Sequence, residues 1–255
     1  MDFQFILGLV LSAAIGVSLG LFGGGGSILT VPLLVYWFGQ TPHEAMPMSL
    51  VVVGVTSLVG AAAQYRAGRL RLGIGSPFAA AGMLGALGGA RLMYLFTAPQ
   101  LLLIFSGLMF VVSGRLLAQP APAEHPGCEP ASRALWKIAA IGLGVGILTG
   151  FLGIGGGFLI VPALLFFGGL DIKSAVATSL LVIALNCAAG IAGHWQSSLF
   201  DLRLAALVTA CALAGVWVGT WLAARMDSAR LQKAFACFVL AVALFLLVKN
   251  LPGDL

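Results

Sequence analysis

The chain has 255 residues, 60% hydrophobic and 8% charged, with a net charge of +5 and a mean hydropathy of +1.09. A soluble chain carries about 25% charged residues, so this composition excludes a water-bathed globule and makes the lipid bilayer the chain's solvent and first partner. The basic residues are spread over segment ends, where cations set topology and meet headgroups, and they form no surface for a nucleic-acid partner.

Eight apolar stretches follow in chain order. Phe3 to Phe38 comes first, then Ala45 to Tyr65, Ile74 to Phe96 and Leu101 to Leu117. A polar linker, QPAPAEHPGCEPASR from Gln119 to Arg133, lacks apolar periodicity and reads as an exposed loop. Beyond it lie Leu135 to Gly169, Ala175 to Trp195, Leu202 to Ala224 and Leu231 to Val248. Runs of about 17 to 25 apolar residues span a bilayer. The pattern therefore predicts an all-α integral membrane protein of about eight transmembrane helices. It divides into a first transmembrane repeat at 1–118, a linker at 119–134 and a second transmembrane repeat at 135–255. The opening MDFQFILGLVLS has no positive n-region and reads as the first membrane segment rather than a removed signal peptide. Cys187, Cys211 and Cys237 lie in apolar stretches and Cys128 sits alone in the linker, so no disulfide or metal framework is expected.

The halves repeat at an offset of 130 residues without a gap. Gly20 to Leu34 reads GLFGGGGSILTVPLL and Gly150 to Leu164 reads GFLGIGGGFLIVPAL, with eight of the fifteen pairs identical. Ser49-Leu50 matches Ser179-Leu180, Gly60 matches Gly190, Gly16/Gly20 matches Gly146/Gly150, and Gly85/Gly89 matches Gly215/Gly219. Small residues four apart share a helix face and permit close approach of backbones, within the chain or in a homodimer. Four segments per unit is an even number, which relates the units by an axis along the membrane normal. If each long segment crosses twice, the unit has five and the repeat is inverted.

The long segments decide where to look for chemistry. Thirty-six residues from Phe3 to Phe38 make about 54 Å of helix, against a hydrocarbon core of about 30 Å. A helix that enters, breaks at Gly23 to Gly26 and continues as a shorter piece fits this length. Glycine is costly inside a helix, and irregular backbone at membrane depth survives only inside protein or beside a water-filled cavity. The two glycine breaks thus mark the centre of the protein.

The paired glycine–valine–proline blocks, the eight segments and the central polar loop resemble the TauE/SafE sulfite exporter family, also called the TSUP family, over nearly the whole chain. The resemblance implies a transporter of sulfite, sulfonates or related small organosulfur anions in the bacterial inner membrane. The first block has Gly24 and Ser27 where the second has Ile154 and Gly157, so two equivalent sites are not expected.

Inside the segments there is almost no carboxylate, which favours a small anionic or neutral substrate over a cation. Backbone N–H groups at a broken helix hold an anion without a full positive charge. Gly23, Gly24, Gly25 and Gly26, together with Gly153, Gly155, Gly156 and Gly157, form such an oxyanion cradle. The plainer reading is that these glycines only let helices pack closely. Ser49 and Ser179 are paired by the repeat, with Thr178 beside the second, and either contact the substrate or bond back to their own helix. Asn186 is the most deeply placed amide, suited to a substrate or to an interhelical hydrogen bond. Arg66, Arg69 and Arg71 set topology, Arg91 lies within the third segment, and His194 is placed to shuttle a proton or to sit at the interface.

With four crossings per half, the N-terminal side carries eight basic residues against five, which leans toward a cytoplasmic N-terminus. No G-x-x-x-x-G-K-[ST], strand-then-helix glycine motif, H-E-x-x-H or cysteine pair occurs, so no enzyme, catalytic group, cofactor or metal is expected. A carrier working by alternating access stands against an anion channel or a non-transporting membrane subunit. Isolated polar residues, rather than a continuous polar stripe, favour the carrier.

Overall fold

The computed structural model describes residues 3–93, 98–118, 135–152, 157–194 and 201–250. These residues form ten α-helices and no strand: α1 (Phe3–Phe22), α2 (Ser27–Tyr36), α3 (Pro42–Arg66), α4 (Leu72–Met93), α5 (Ala98–Ala118), α6 (Leu135–Leu152), α7 (Gly157–Phe166), α8 (Ile172–His194), α9 (Leu202–Arg225) and α10 (Ser228–Asn250). Six of them, α1, α3, α4, α8, α9 and α10, are long and apolar enough to cross a membrane. The eight apolar stretches become ten helices because each long stretch divides into a long helix and a ten-residue one. Ten residues make about 15 Å, half of a bilayer core of about 30 Å.

The short piece does not continue along α1; it doubles back. Gly23 takes φ +73, the left-handed conformation that glycine adopts without steric cost, and turns the chain out of the α1 axis. A Cβ at Gly26 would then lie 2.5 Å from Ile15 O and 3.0 Å from Leu19 Cβ, and the Phe38 ring beyond α2 returns to Gly8 and Phe5, with the two rings 5.7 Å apart and edge to face. The far ends of α2 and α7 close identically. Gln40 N donates to Leu34 O and Leu170 N to Leu164 O, around left-handed Gly39 and Gly169. The same left-handed glycine turn thus ends both short helices, repeated across the 130-residue offset.

Each half packs chiefly on the other. Along α3 and α8, Gly54 faces Cys187, Gly60 faces Leu180 and Leu50 faces Gly190, so these two helices run antiparallel. Gly16 lies on Ala212 and Gly20 on Val216, so α1 and α9 run parallel; Gly142 lies on Phe78 and Gly146 on Gly82, so α4 and α6 do too. An axis along the membrane normal would make α3 and α8 parallel. The repeat is therefore the inverted one of five helices, with its pseudo-two-fold axis across the α3–α8 pair. Between helices in lipid there is no hydrophobic driving force, so close backbone approach at small residues holds the bundle. A Cβ at Gly20 would lie 2.5 Å from Val216 O. The Gly-x-x-x-Gly faces of α1 and α9 are thus taken up inside the chain.

Inversion regroups the charges. The face that holds the start of α1 carries Arg91, Arg203 and Lys249. The opposite face carries Arg66, Arg69, Arg71, Arg115, Lys137, Lys173, Arg225, Arg230 and Lys233. Arg225 there lies 3.8 Å over the Trp221 ring and Lys137 sits 6.0 Å from that of Trp136, two aromatic–cation anchors suited to a headgroup layer. Nine cations against three reverses the lean drawn from four crossings and puts the start of α1 outside. In a background lacking the native cysteines, Leu202→Cys should react with a membrane-impermeant thiol reagent in intact cells, and Arg66→Cys only after permeabilisation. The opposite pattern would refute this orientation.

Candidate functional site

The two short helices meet near the pseudo-two-fold axis, N-terminus to N-terminus. Gly24, in the first break, lies directly on the backbone of Gly157, the first residue of α7, and Gly157 is 3.0 Å, measured from a Cβ placed on it, from Ser27 Oγ, the first residue of α2. Two positive helix ends therefore converge on one buried point. The N-terminus of α2 begins at Gly26 with no side-chain cap, whereas Thr41 and Glu44 cap α3 and Asp201 caps α9. At this buried end Ser27 N donates to Gly24 O at 3.3 Å and Leu29 N to Gly26 O at 3.2 Å, so backbone carbonyls rather than a side chain close it.

Gly23, Gly24, Gly25, Gly26 and Gly157 are all buried. Gly153, Gly155 and Gly156 lie outside the described residues. Close packing accounts directly for Gly24, Gly26 and Gly157, since a Cβ at each would press on backbone or on a short side chain. It also explains an asymmetry of the repeat. Ser27 and Gly157 are equivalent positions that face each other, and Ile183 Cδ1 sits 2.8 Å from a Cβ at Gly157, so only one of the two has room for a side chain. Gly25 differs. The nearest atoms to a Cβ there belong to the Phe238 ring, the first at 2.6 Å, and Phe238 stacks on Phe22 with centroids 5.1 Å apart. That neighbour is a side chain able to move.

Ser179 is brought to the break. Its fully buried hydroxyl is shared between Val176 O at 2.8 Å and Gly23 O at 3.2 Å. Ser49 repeats the first of these bonds, donating to Met46 O at 2.7 Å; its counterpart to Gly23 is Gly153. Thr178 is not at the break. It is fully buried and accepts from Arg71 N at 3.3 Å, tying the α3–α4 connection to α8. Asn186 lies on α8 beyond Ile183. Ser179, Ile183 and Asn186 are spaced four and three residues apart and share one helix face. Among the described residues, every buried polar side chain is uncharged. Sequence reasoning passed over Phe238 and Ile183, because the repeat pairs them with Leu108 and Val53, which carry no polar signal. A cavity of about 420 Å³ lies elsewhere, at the outer ends of α1, α2 and α9, lined by Phe5, Trp37, Phe38, Asp201, Arg203, Leu204 and Leu207.

Long spanning helices around paired, buried half-helices make the architecture of a membrane transporter. The chain belongs to the TauE/SafE family: the family profile described as "Sulfite exporter TauE/SafE" matches residues 8–246. It is 35% identical to a "Probable membrane transporter protein" of Xylella fastidiosa (strain 9a5c) over 92% of each chain. It is 28% identical to the "Probable membrane transporter protein YdhB" of Bacillus subtilis (strain 168), over 80% of this chain and 84% of that one. Identity to the "Probable membrane transporter protein YunE" of the same organism is 28% over 96% of each. No solved structure shows a significant match. The protein is a multi-pass membrane transporter of the TauE/SafE type.

Gly24→Ala should destabilise by about 1–3 kcal/mol, because the Gly157 backbone cannot yield. Ser179→Ala should cost about 1 kcal/mol for its hydrogen bond. Thermal unfolding in detergent checks both, and an unchanged Gly24→Ala melting temperature would contradict the contact.

Proposed function

We propose that this transporter carries a small anion, a sulfur oxyanion or sulfonate, across the bacterial inner membrane by alternating access. The observation that carries the reading is the convergence of two half-helix N-termini led by glycine, which brings two positive dipole ends to one buried point. Uncharged burial supports it further: a cation carrier ordinarily keeps a buried carboxylate to meet its load. The family description supports the sulfur chemistry.

In this conformation Gly24 rests on Gly157, so the half-helices are in contact and the path between them is closed. Direct contact favours a carrier over an open channel. Transport then requires the half-helices to part, with one half rocking on the other about the antiparallel α3–α8 pair. Small residues at the α1–α9 and α4–α6 crossings let those helices slide without losing contact. The inverted repeat supplies the second state: what one half does to open one face, the other does to open the opposite face.

Gly25 is the position to test, since its neighbour is a movable ring rather than backbone. In proteoliposomes, Gly25→Val should lower sulfite flux by about tenfold or more, the effect of roughly 1.4 kcal/mol, while the protein remains folded by thermal unfolding. Full flux in Gly25→Val would sink the site. Absence of flux for sulfite and sulfonates, with flux for carboxylates, would keep the carrier and discard the sulfur substrate.

A further inference from the structure

The cavity of about 420 Å³ at the outer ends of α1, α2 and α9 stands apart from the half-helix site. Among the described residues its lining includes none of the break glycines. It meets the chain just past α2, whose ten residues, about 15 Å, separate it from the Gly24–Gly157 contact. Its volume suits a small molecule or a headgroup.

One wall is aromatic: Phe38 lies over Gly8 and edge to face with Phe5, 5.7 Å away. The rim is charged, because Asp201 and Arg203 both line the cavity at the start of α9. Asp201 Oδ1 caps that helix, accepting from Arg203 N at 2.9 Å and from Leu204 N at 3.2 Å. Among the described residues no ion pair joins the two side chains, and nothing bonds Asp201 Oδ2 or the guanidinium. Two opposite charges thus open onto one cavity without neutralising each other.

Polarity also changes with depth. Because α9 starts at the outer face, Leu207 lies on the same helix side as Arg203 and about 6 Å deeper. Trp37 and Leu207 are 43% and 45% exposed, whereas Leu204 is 8% exposed, so the cavity opens sideways toward lipid rather than into the bundle. Charge at headgroup level, a tryptophan beside it and apolar wall beneath match a phospholipid end to end.

We propose that this cavity binds a zwitterionic phospholipid, with its phosphate on Arg203 and its ammonium on Asp201. An anionic lipid satisfies the guanidinium but sets its charge beside a carboxylate of the same sign. A phosphoethanolamine headgroup carries both charges. Asp201 keeps the helix cap through Oδ1 and offers Oδ2 to the ammonium, while the phosphate takes the guanidinium N–H groups. The lipid is no part of the transported load, so the site stands whichever anion is carried.

The test adds phosphatidylethanolamine or phosphatidylglycerol of the same acyl chains to the full-length protein in detergent and counts the complexes by native mass spectrometry. Phosphatidylethanolamine should bind about tenfold more tightly, the effect of one charge-assisted hydrogen bond. Asp201→Asn keeps a good helix cap and should abolish the preference. Arg203→Gln should weaken both lipids. Equal binding of the two lipids by the unmodified protein overturns the proposal, as does a preference that survives in Asp201→Asn or binding untouched by Arg203→Gln. Displacement of the lipid by glycerophosphoethanolamine at equal concentration would make the cavity a solute pocket and overturn the lipid assignment.

Discussion

Lipid offers no hydrogen-bond partner to an interrupted helix, so a break in one must be enclosed by protein. That constraint organises this molecule. The break after α1 is covered largely by the other half: Gly157 of α7 on Gly24, Val176 and Ser179 of α8 on Gly23, and Phe238 of α10 on Gly25, while Gly26 rests on Ile15 and Leu19 of α1. The first half does not bury its own irregular backbone alone. The exchange of α1 for α9 contacts and of α6 for α4 contacts follows, because each long helix is drawn across to the partner half along with its break.

The same crossing creates the functional asymmetry. Two equivalent half-helix ends brought together on a symmetry axis compete for the same space, and the chain resolves the competition by holding Ser27 on one side and Gly157 on the other. The aromatic group of Phe22, Phe235 and Phe238 beside the first break has Leu152, Phe105 and Leu108 as its partners in the repeat. The alternating access proposed above needs two states of similar energy, and near-equivalence of the halves with a few unequal contacts is compatible with them.

Glycine has two roles here that sequence alone does not separate. At Gly16, Gly20, Gly142 and Gly146 it lets helices touch through their backbones. At Gly23 it turns the chain, and at Gly25 it leaves backbone beside a movable ring. Adjacent glycines in the same run therefore have different surroundings, some pressed on backbone and others turning the chain or facing a side chain.

Hydropathy and the 130-residue repeat determined the all-α membrane fold, the two breaks and the pairing of Ser49 with Ser179, since each depends on local composition or on comparing the chain with itself. Inversion was not settled that way. It depends on whether the short helices proceed or reverse, and at α2 a positive φ at Gly23 decides this by a geometry that composition does not encode. The charge asymmetry was present in the sequence throughout but was sorted onto the wrong faces until the helices were counted as five. Ile183 was invisible to the repeat, because its counterpart Val53 carries no polar signal, and only the packing of α8 on α7 brings it against Gly157. Local chemistry can be read along a chain. Which polar atoms go without a partner is decided by what the other half brings against them.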